Sequence, residues 1–267
     1  MQAKVSIDDN HALTTPFTEN EFQEAIFNMH QDKSSRPDGL NPAFYHRIWN
    51  ELGGEIFTIA SSWLASGSFP HELNVIHIIL APKGDNPAIM KDLRPISLCN
   101  VLYKIISKVL ANRLGPLIDK WIYPEQAAFI LSCSIMDNAL TTFEILHYMC
   151  CKHKGKTCDV ALKLDASKAF DSVSWSYLQT ILNKLGFCSQ WVTWMMMCIQ
   201  TVKYHVIFNG NRIGSTIPER GLRQGFPLSP YLYIICVEGL SAIIKNHEIR
   251  GKLHGVRICR TALSISR

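Results

Sequence analysis

The stretch Leu162-Lys163-Leu164-Asp165-Ala166-Ser167-Lys168-Ala169-Phe170-Asp171 constrains this chain more than any other. Cys158 to Leu164 reads as a buried strand, and Asp165 stands where that strand leaves the core. A carboxylate there can bind a hard cation at the rim of a sheet. It can equally cap the next turn, and an isolated strand-end Asp favours the cap. Asp171 reads as a cap for the helix that follows. No aspartate occurs after Asp171.

A second motif follows at Arg220-Gly221-Leu222-Arg223-Gln224-Gly225-Phe226-Pro227-Leu228-Ser229-Pro230. Gly221, Gln224 and Gly225 form a turn whose backbone can approach a ligand closely. The Gln224 carboxamide both donates and accepts, and Arg220 and Arg223 can reach phosphates. The competing reading is an ordinary loop before a helix. Phe170, five residues after Asp165, is by itself a core aromatic.

The rest of the chain reads as α+β. Thr18 and Glu21 form a capping-box pattern ahead of Phe22, Ala25, Ile26 and Met29. Lys33 to Gly39 is a turn. Asn41-Pro42 opens a helix through Phe44, Tyr45, Ile48 and Trp49, and a further helix covers Glu51 to Ala65. Leu73 to Leu80 is a strand. Helices follow at Asn100 to Arg113, from Ser134 to Met149, after Ser174 with Tyr177, Leu178, Ile181 and Leu182 inward, and at Gln190 to Gln200. Tyr204 to Phe208 and Arg212 to Ile217, joined by Asn209-Gly210, form a hairpin. Ser229-Pro230 starts a helix toward Lys245.

Apolar residues make up 47%, which supports a core and excludes a disordered chain. Charge is segregated: from Lys203 onward ten Lys and Arg face three acids, whereas the rest carries a small negative excess. A basic end suits a polyanion, and a solvated basic tail is the even alternative. Nine cysteines without a regular framework fit a reducing compartment. The N-terminus has no apolar signal region, and no apolar run is long enough to span a bilayer. The expectation is a soluble, intracellular protein without a membrane partner, nucleus and cytoplasm both open. Cys150, Cys151, His153 and Cys158 fit no common zinc module, so no zinc is expected.

Together the motifs resemble the reverse transcriptase of plant non-LTR (LINE-type) retrotransposons, from about Lys33 to Arg267. Lys33-Ser34-Ser35-Arg36-Pro37-Asp38-Gly39-Leu40 resembles the family's entry motif. Leu80-Ala81-Pro82-Lys83-Gly84 and Asp92-Leu93-Arg94-Pro95-Ile96-Ser97-Leu98 resemble its fingers motifs. Tyr103-Lys104-Ile105-Ile106, Ala111-Asn112-Arg113-Leu114, and Gln126-Ala127-Ala128-Phe129 with Asp137-Asn138 follow in order. The motifs at Asp165 and Arg220 complete a colinear set.

The resemblance implies a right-hand polymerase fragment: helix-rich fingers and an incomplete palm with a small antiparallel sheet. It divides the chain into a helical lead-in at 1–32, a fingers-like region at 33–150 and a palm at 151–267. The palm sheet is expected to hold the Asp165 strand and one neighbour, with an exposed edge and poor solubility. Asp165 is implied as the catalytic metal-binding carboxylate, beside the carbonyl of Ala166. Phe170 is implied as the gate beneath the nucleotide sugar. Gln224 and Gly225 would touch the incoming nucleotide, with Lys83 and Arg94 near triphosphate or template and the choice between them open. Arg220 and Arg223 would contact nucleic acid. Mg²⁺, or Mn²⁺, is the implied cofactor, and an RNA template and DNA primer are the implied partners.

The chain departs from the family pattern at Arg36, where Gly is usual, and at Ser132 and Cys133, where a Gly-Arg pair is usual. Phe226 stands where the family has Asp. The family's aromatic-Ala-Asp-Asp hairpin is expected after residues such as Ile258–Ser266 and is not among these 267 residues. The expectation is therefore an RNA-directed DNA polymerase domain that is inactive as this polypeptide. The alternative is a nucleic-acid-binding remnant or a nonfunctional fragment.

Overall fold

Side-chain caps set several of the helix starts in the computed structural model, which describes residues 3–31, 39–123, 126, 135–152 and 159–255. Ser6 accepts from the Asp9 amide and opens α1 (Ile7–Thr14). Thr18 and Glu21 make the expected capping box on α2 (Glu19–Phe27). Asn41 accepts from the Phe44 amide, with Pro42 in the first turn of α3 (Pro42–Ser66). The two helices expected between Asn41 and Ala65 are this one 25-residue helix. Gly53 and Gly54 do not break it, because Gly53 lies directly under the Trp49 indole and its missing side chain makes room for the ring. Gly67, at φ +67°, ends it.

β1 (Val75–Pro82) and β2 (Leu93–Cys99) form an antiparallel hairpin. β2 was not expected as a strand. Its exposed Arg94, Pro95 and Ile96 give no alternation toward a core. Then come α4 (Val101–Ile118), α5 (Ile135–Cys151), α6 (Trp175–Leu185) and α7 (Ser189–Gln200). The Asn209-Gly210 hairpin is present as β3 (Lys203–Phe208) and β4 (Asn211–Thr216), followed by α8 (Ser229–Ile249). The sheet runs β2-β1-β3-β4. The β3–β4 hairpin is antiparallel as expected, β1 and β2 also pair antiparallel, and β1 and β3 pair in parallel.

The expected Cys158–Leu164 strand is absent from the described part: residues 159–164 form no ladder, and Val160, Leu162 and Leu164 are exposed. A strand needs a neighbour to satisfy its backbone. Here β3 lies directly on β1, so no place between them is open to this segment. The palm sheet therefore does not contain the Asp165 segment. α5 likewise keeps Met136, Leu140, Phe143 and Leu146 exposed.

One apolar cluster draws on α1 through α4 and α6 through α8, with Trp121, Trp191, Tyr103 and Phe22 among its most buried members. The N-terminal residues are built into it. The amides of Lys4 and Val5 donate to the Leu185 carbonyl at 2.9 Å. Lys4 Nζ lies 2.5 Å from the Glu238 carboxylate on α8, donates to the Trp121 carbonyl at 2.8 Å, and sits 3.7 Å from the centre of the Tyr123 ring. Glu238 is 1% exposed and also accepts from the Tyr123 amide. Arg113 donates to the carbonyls of Leu13, Thr15 and Pro16 and to the Glu21 carboxylate, tying the α1–α2 connection to α4.

Asp9 is buried. Burial pushes its carboxyl up, and bonds from Ser6, Lys120 and Trp121 outweigh this and bring it down to about 2. Among the described residues, no helix is long and apolar enough to cross a membrane.

Candidate functional site

The two diagnostic motifs meet because their backbones are stitched together. After Asp165 the chain turns through Lys168, at φ +52°, and the Ser172 amide closes the turn on the Lys168 carbonyl at 3.1 Å. The Leu222 amide then donates to the Phe170 carbonyl and the Gly221 amide to the Val173 carbonyl, both at 2.8 Å. Trp175 Nε1 donates to the Gly221 carbonyl at 2.8 Å, and Ser174 and Arg220 form an antiparallel bridge. Gly221 is required here: it sits at φ +97°, and a Cβ would lie 3.1 Å from the Asp171 carbonyl oxygen. Gly221→Ala is expected to cost about 2 kcal/mol from backbone conformation and crowding together. Urea unfolding checks this, and an unchanged midpoint would show that the stitch is slack.

The stitched turn faces the sheet across a cleft of about 210 Å³. Ile78, Ser97 and Tyr204 line the sheet side, and Asp171, Arg220 and Gln224 the loop side. Asp171 was expected as a helix cap. Ser174 holds that position, accepting from the Tyr177 amide at 3.4 Å, and Asp171 lies in the preceding turn with its side chain exposed. Its charge reaches Tyr204: burial raises that phenol, Arg223 pulls it down, and Asp171 pushes it up. Sequence reasoning missed Asp171, Ser97 and Tyr204 as cleft residues. The sign of Asp171 was present in the motif, but its direction depended on which residue capped α6.

Phe170 is half-buried and stacks on Tyr233 of α8, centroids 4.9 Å apart and planes at 17°. Gln224 and Gly225 are exposed, and nothing lies within 4 Å of where a Gly225 Cβ would project. Lys83 and Arg94 both lie at the loop end of the β1–β2 hairpin, where Ala81 pairs with Arg94 and Lys83 follows the last residue of β1. Both are exposed; Lys83 Nζ donates to the Lys91 carbonyl, and its amide to the Asp92 carbonyl. Amides of Ile89 and Ala88 hold the Asp92 carboxyl below its ordinary range, with Lys83 adding to the effect.

Arg223 does not behave as a phosphate contact. It is 8% exposed, and its Nη2 donates to Asn74 Oδ1, Tyr103 Oη and the Cys198 carbonyl at 2.8–2.9 Å. The guanidinium also packs against the rings of Tyr103 and Phe226 at 4.6 and 4.7 Å. An arginine held this way pins the loop from inside. Burial raises the Tyr103 phenol well above its ordinary range, with Arg223 pulling back, so the hydroxyl stays neutral and donates to the Cys198 carbonyl. Phe226, at the position where the family pattern has Asp, is buried and stacks on Tyr103 at 5.0 Å. On the far side of the loop a second cleft, about 240 Å³, is lined by Met29, His30, Lys104, Lys108, Gly225 and Phe226.

Asp165 is exposed and makes no hydrogen bond or ion pair with a described residue. Its carboxylate and the Ala166 carbonyl are oxygen donors of the kind a hard cation takes. Among the described residues, however, no group of three His, Cys, Asp or Glu is placed to hold a metal. These donors do not make a complete site, so no chemical step is assigned through a metal. Arg36, Ser132, Cys133, His153 and Cys158 lie outside the described residues.

The chain is 29% identical over 234 residues to the "Transposon TX1 uncharacterized 149 kDa protein" of Xenopus laevis, covering 88% of this chain and 18% of that protein. It is 29% identical over 221 residues to the "Retrovirus-related Pol polyprotein from type-2 retrotransposable element R2DM" of Drosophila melanogaster, covering 82% of this chain and 20% of that protein. An "Uncharacterized mitochondrial protein AtMg01250" of Arabidopsis thaliana is 45% identical over 60 residues, 22% of this chain and 49% of that protein. The chain thus spans about a fifth of the length of the two transposon relatives. Among solved structures, a "Partial Cas6-RT-Cas1--Cas2 complex" aligns with 89% of this chain and 35% of that one at TM-score 0.46 and 17% identity, a level that carries no argument. A family model also matches this chain. That match, to the model described as reverse transcriptase (RNA-dependent DNA polymerase), covers residues 81–260, more than half of the sequence, and the chain belongs to that family.

Proposed function

We propose that this chain is the reverse transcriptase domain of a plant non-LTR (LINE-type) retroelement, taking an RNA template and a DNA primer. The observation that carries the reading is the stitch from Phe170 and Val173 to Leu222 and Gly221, which sets Gln224 beside a cleft following the Asp165 segment. Phe170 faces the nucleotide sugar, Gln224 and Gly225 take the nucleotide, and Lys83 and Arg94 serve triphosphate or template from the β1–β2 hairpin. Arg220, exposed at the cleft, takes a phosphate. Mg²⁺, or Mn²⁺, would be held at Asp165 and the Ala166 carbonyl, with the remaining oxygens supplied from elsewhere.

A second reading, nucleic-acid binding without catalysis by this polypeptide, is favoured by the single carboxylate at the Asp165 position and the lack of a three-ligand cluster among the described residues. Both readings are tested together on the 267-residue polypeptide. A labelled RNA–DNA duplex is expected to bind with affinity that falls about tenfold or more between 50 and 200 mM salt. Primer extension on RNA with Mg²⁺ or Mn²⁺ is expected at background. Asp165→Asn is expected to leave stability within about 0.5 kcal/mol, because the side chain is exposed and has no partner among the described residues. Absence of binding at low salt overturns the nucleic-acid reading. Incorporation that disappears in Asp165→Asn overturns the inactivity of the polypeptide.

A further inference from the structure

On the face of the sheet opposite the cleft, three basic side chains lie in a row across three strands. His77 of β1 pairs in register with His205 of β3, and their ring centroids are 6.2 Å apart. Arg212 of β4 brings its Nη2 to 3.1 Å from His77 Nε2. Arginine can only donate, so His77 Nε2 must be an unprotonated acceptor. His205 Nδ1 donates to the Gly214 carbonyl at 3.0 Å. That bond spans the register shift between Tyr204 and Val206, where Gly214 sits at φ +60°. The two histidines therefore do different work. His205 donates whether neutral or charged, whereas His77 loses its bond to Arg212 as soon as it takes a proton.

We propose that His77, with Arg212 and His205, is a proton-sensitive latch holding the β3–β4 hairpin on β1, closed at neutral pH and loosened by acid. The charged and titratable neighbours support this. Opposite His77, β2 presents Leu98, β3 presents His205 and β4 presents Arg212, and none of the three basic groups makes an ion pair among the described residues. Protonated His77 thus meets one fixed cation and one potential one, with no anion to offset them. Burial lowers His77 below the ordinary histidine range, and Arg212 and His205 lower it further. The sign follows: the folded form binds the proton less readily than the unfolded chain. The latch's stabilisation is complete above the unfolded value of 6.5 and is lost as pH falls below it toward the lowered folded value. The consequence reaches the cleft, because Ile78 and Tyr204 line it from the alternate positions of the same two strands.

The latch is tested by amide hydrogen exchange on the whole polypeptide at pH 7.5 and 5.5, corrected for intrinsic rates. Protection across residues 203–216 is expected to fall severalfold in acid, because the closed latch binds the proton less readily than the open one. His77→Gln keeps an acceptor that does not titrate, and its protection is expected to be flat over this range. Arg212→Met removes the cation and is expected to blunt the response. Proton titration of the His77 ring in the unaltered protein gives a reading that needs no variant. Equal acid sensitivity in His77→Gln, or a His77 titration at or above the ordinary range, overturns the proposal. Because no nucleic acid is used, the outcome is separate from that of the duplex-binding test.

Discussion

Arg223→Ala is expected to lower unfolding free energy by about 3 kcal/mol, read as a drop in the urea midpoint by fluorescence of the buried Trp191 and Trp194. The guanidinium gives three hydrogen bonds from a charged donor, each worth about 1.5–3 kcal/mol before compensation. Compensation is substantial. Tyr103 keeps its own bond to the Cys198 carbonyl, and the Asn74 amide keeps Thr201. The charge is also buried without a carboxylate among the described residues, with Nη1 lacking a partner, which costs the folded state something throughout. The loss of packing against Tyr103 and Phe226 adds to the deficit. Arg223→Lys is expected to recover little, since an ammonium lacks the flat guanidinium face that packs against Tyr103 and Phe226. A loss under about 1 kcal/mol for Arg223→Ala would return this arginine to the role of a surface ligand.

The second large effect concerns Lys4. Lys4→Met leaves the Glu238 carboxylate buried beside only the Tyr123 amide, and about 3–5 kcal/mol should be lost. Adding Glu238→Gln removes the stranded charge while keeping an acceptor for that amide. The double variant is therefore expected to be more stable than Lys4→Met alone by about 1–2 kcal/mol. Thermal or urea unfolding of the four proteins in the cycle reads the coupling directly. Additive losses, with no recovery in the double variant, would mean that the pair is solvated and that residues 3–6 lie loosely on the body of the protein.

Local chemistry was legible in the sequence wherever a single residue type decided it. Asn41-Pro42, Thr18 with Glu21, Ser174 and Asn209-Gly210 all act where their patterns placed them. The colinear motifs also announced the family and the meeting of the Asp165 and Gln224 regions. Features that depend on partners distant in sequence were hidden. Leu162 and Leu164 have the pattern of an inner strand, but pattern cannot report that β3 takes the place beside β1. The two arginines of the Arg220 motif look alike in the sequence. One is exposed at the cleft and the other is buried, and Asn74 and Tyr103, which make that difference, lie far upstream. Lys4 carried no signal, because its partner is 234 positions away.

The parallel pairing of β1 with β3 carries a consequence for how the molecule is made. Residues 75–79 wait for residues 203–207, and Lys4 waits for Glu238, so neither contact can form until those later residues have left the ribosome. Early helices such as α3 are left with apolar stripes facing water during that interval. Assembly is thereby expected to be a late, concerted closure dominated by loop entropy, slow for a chain so rich in helix.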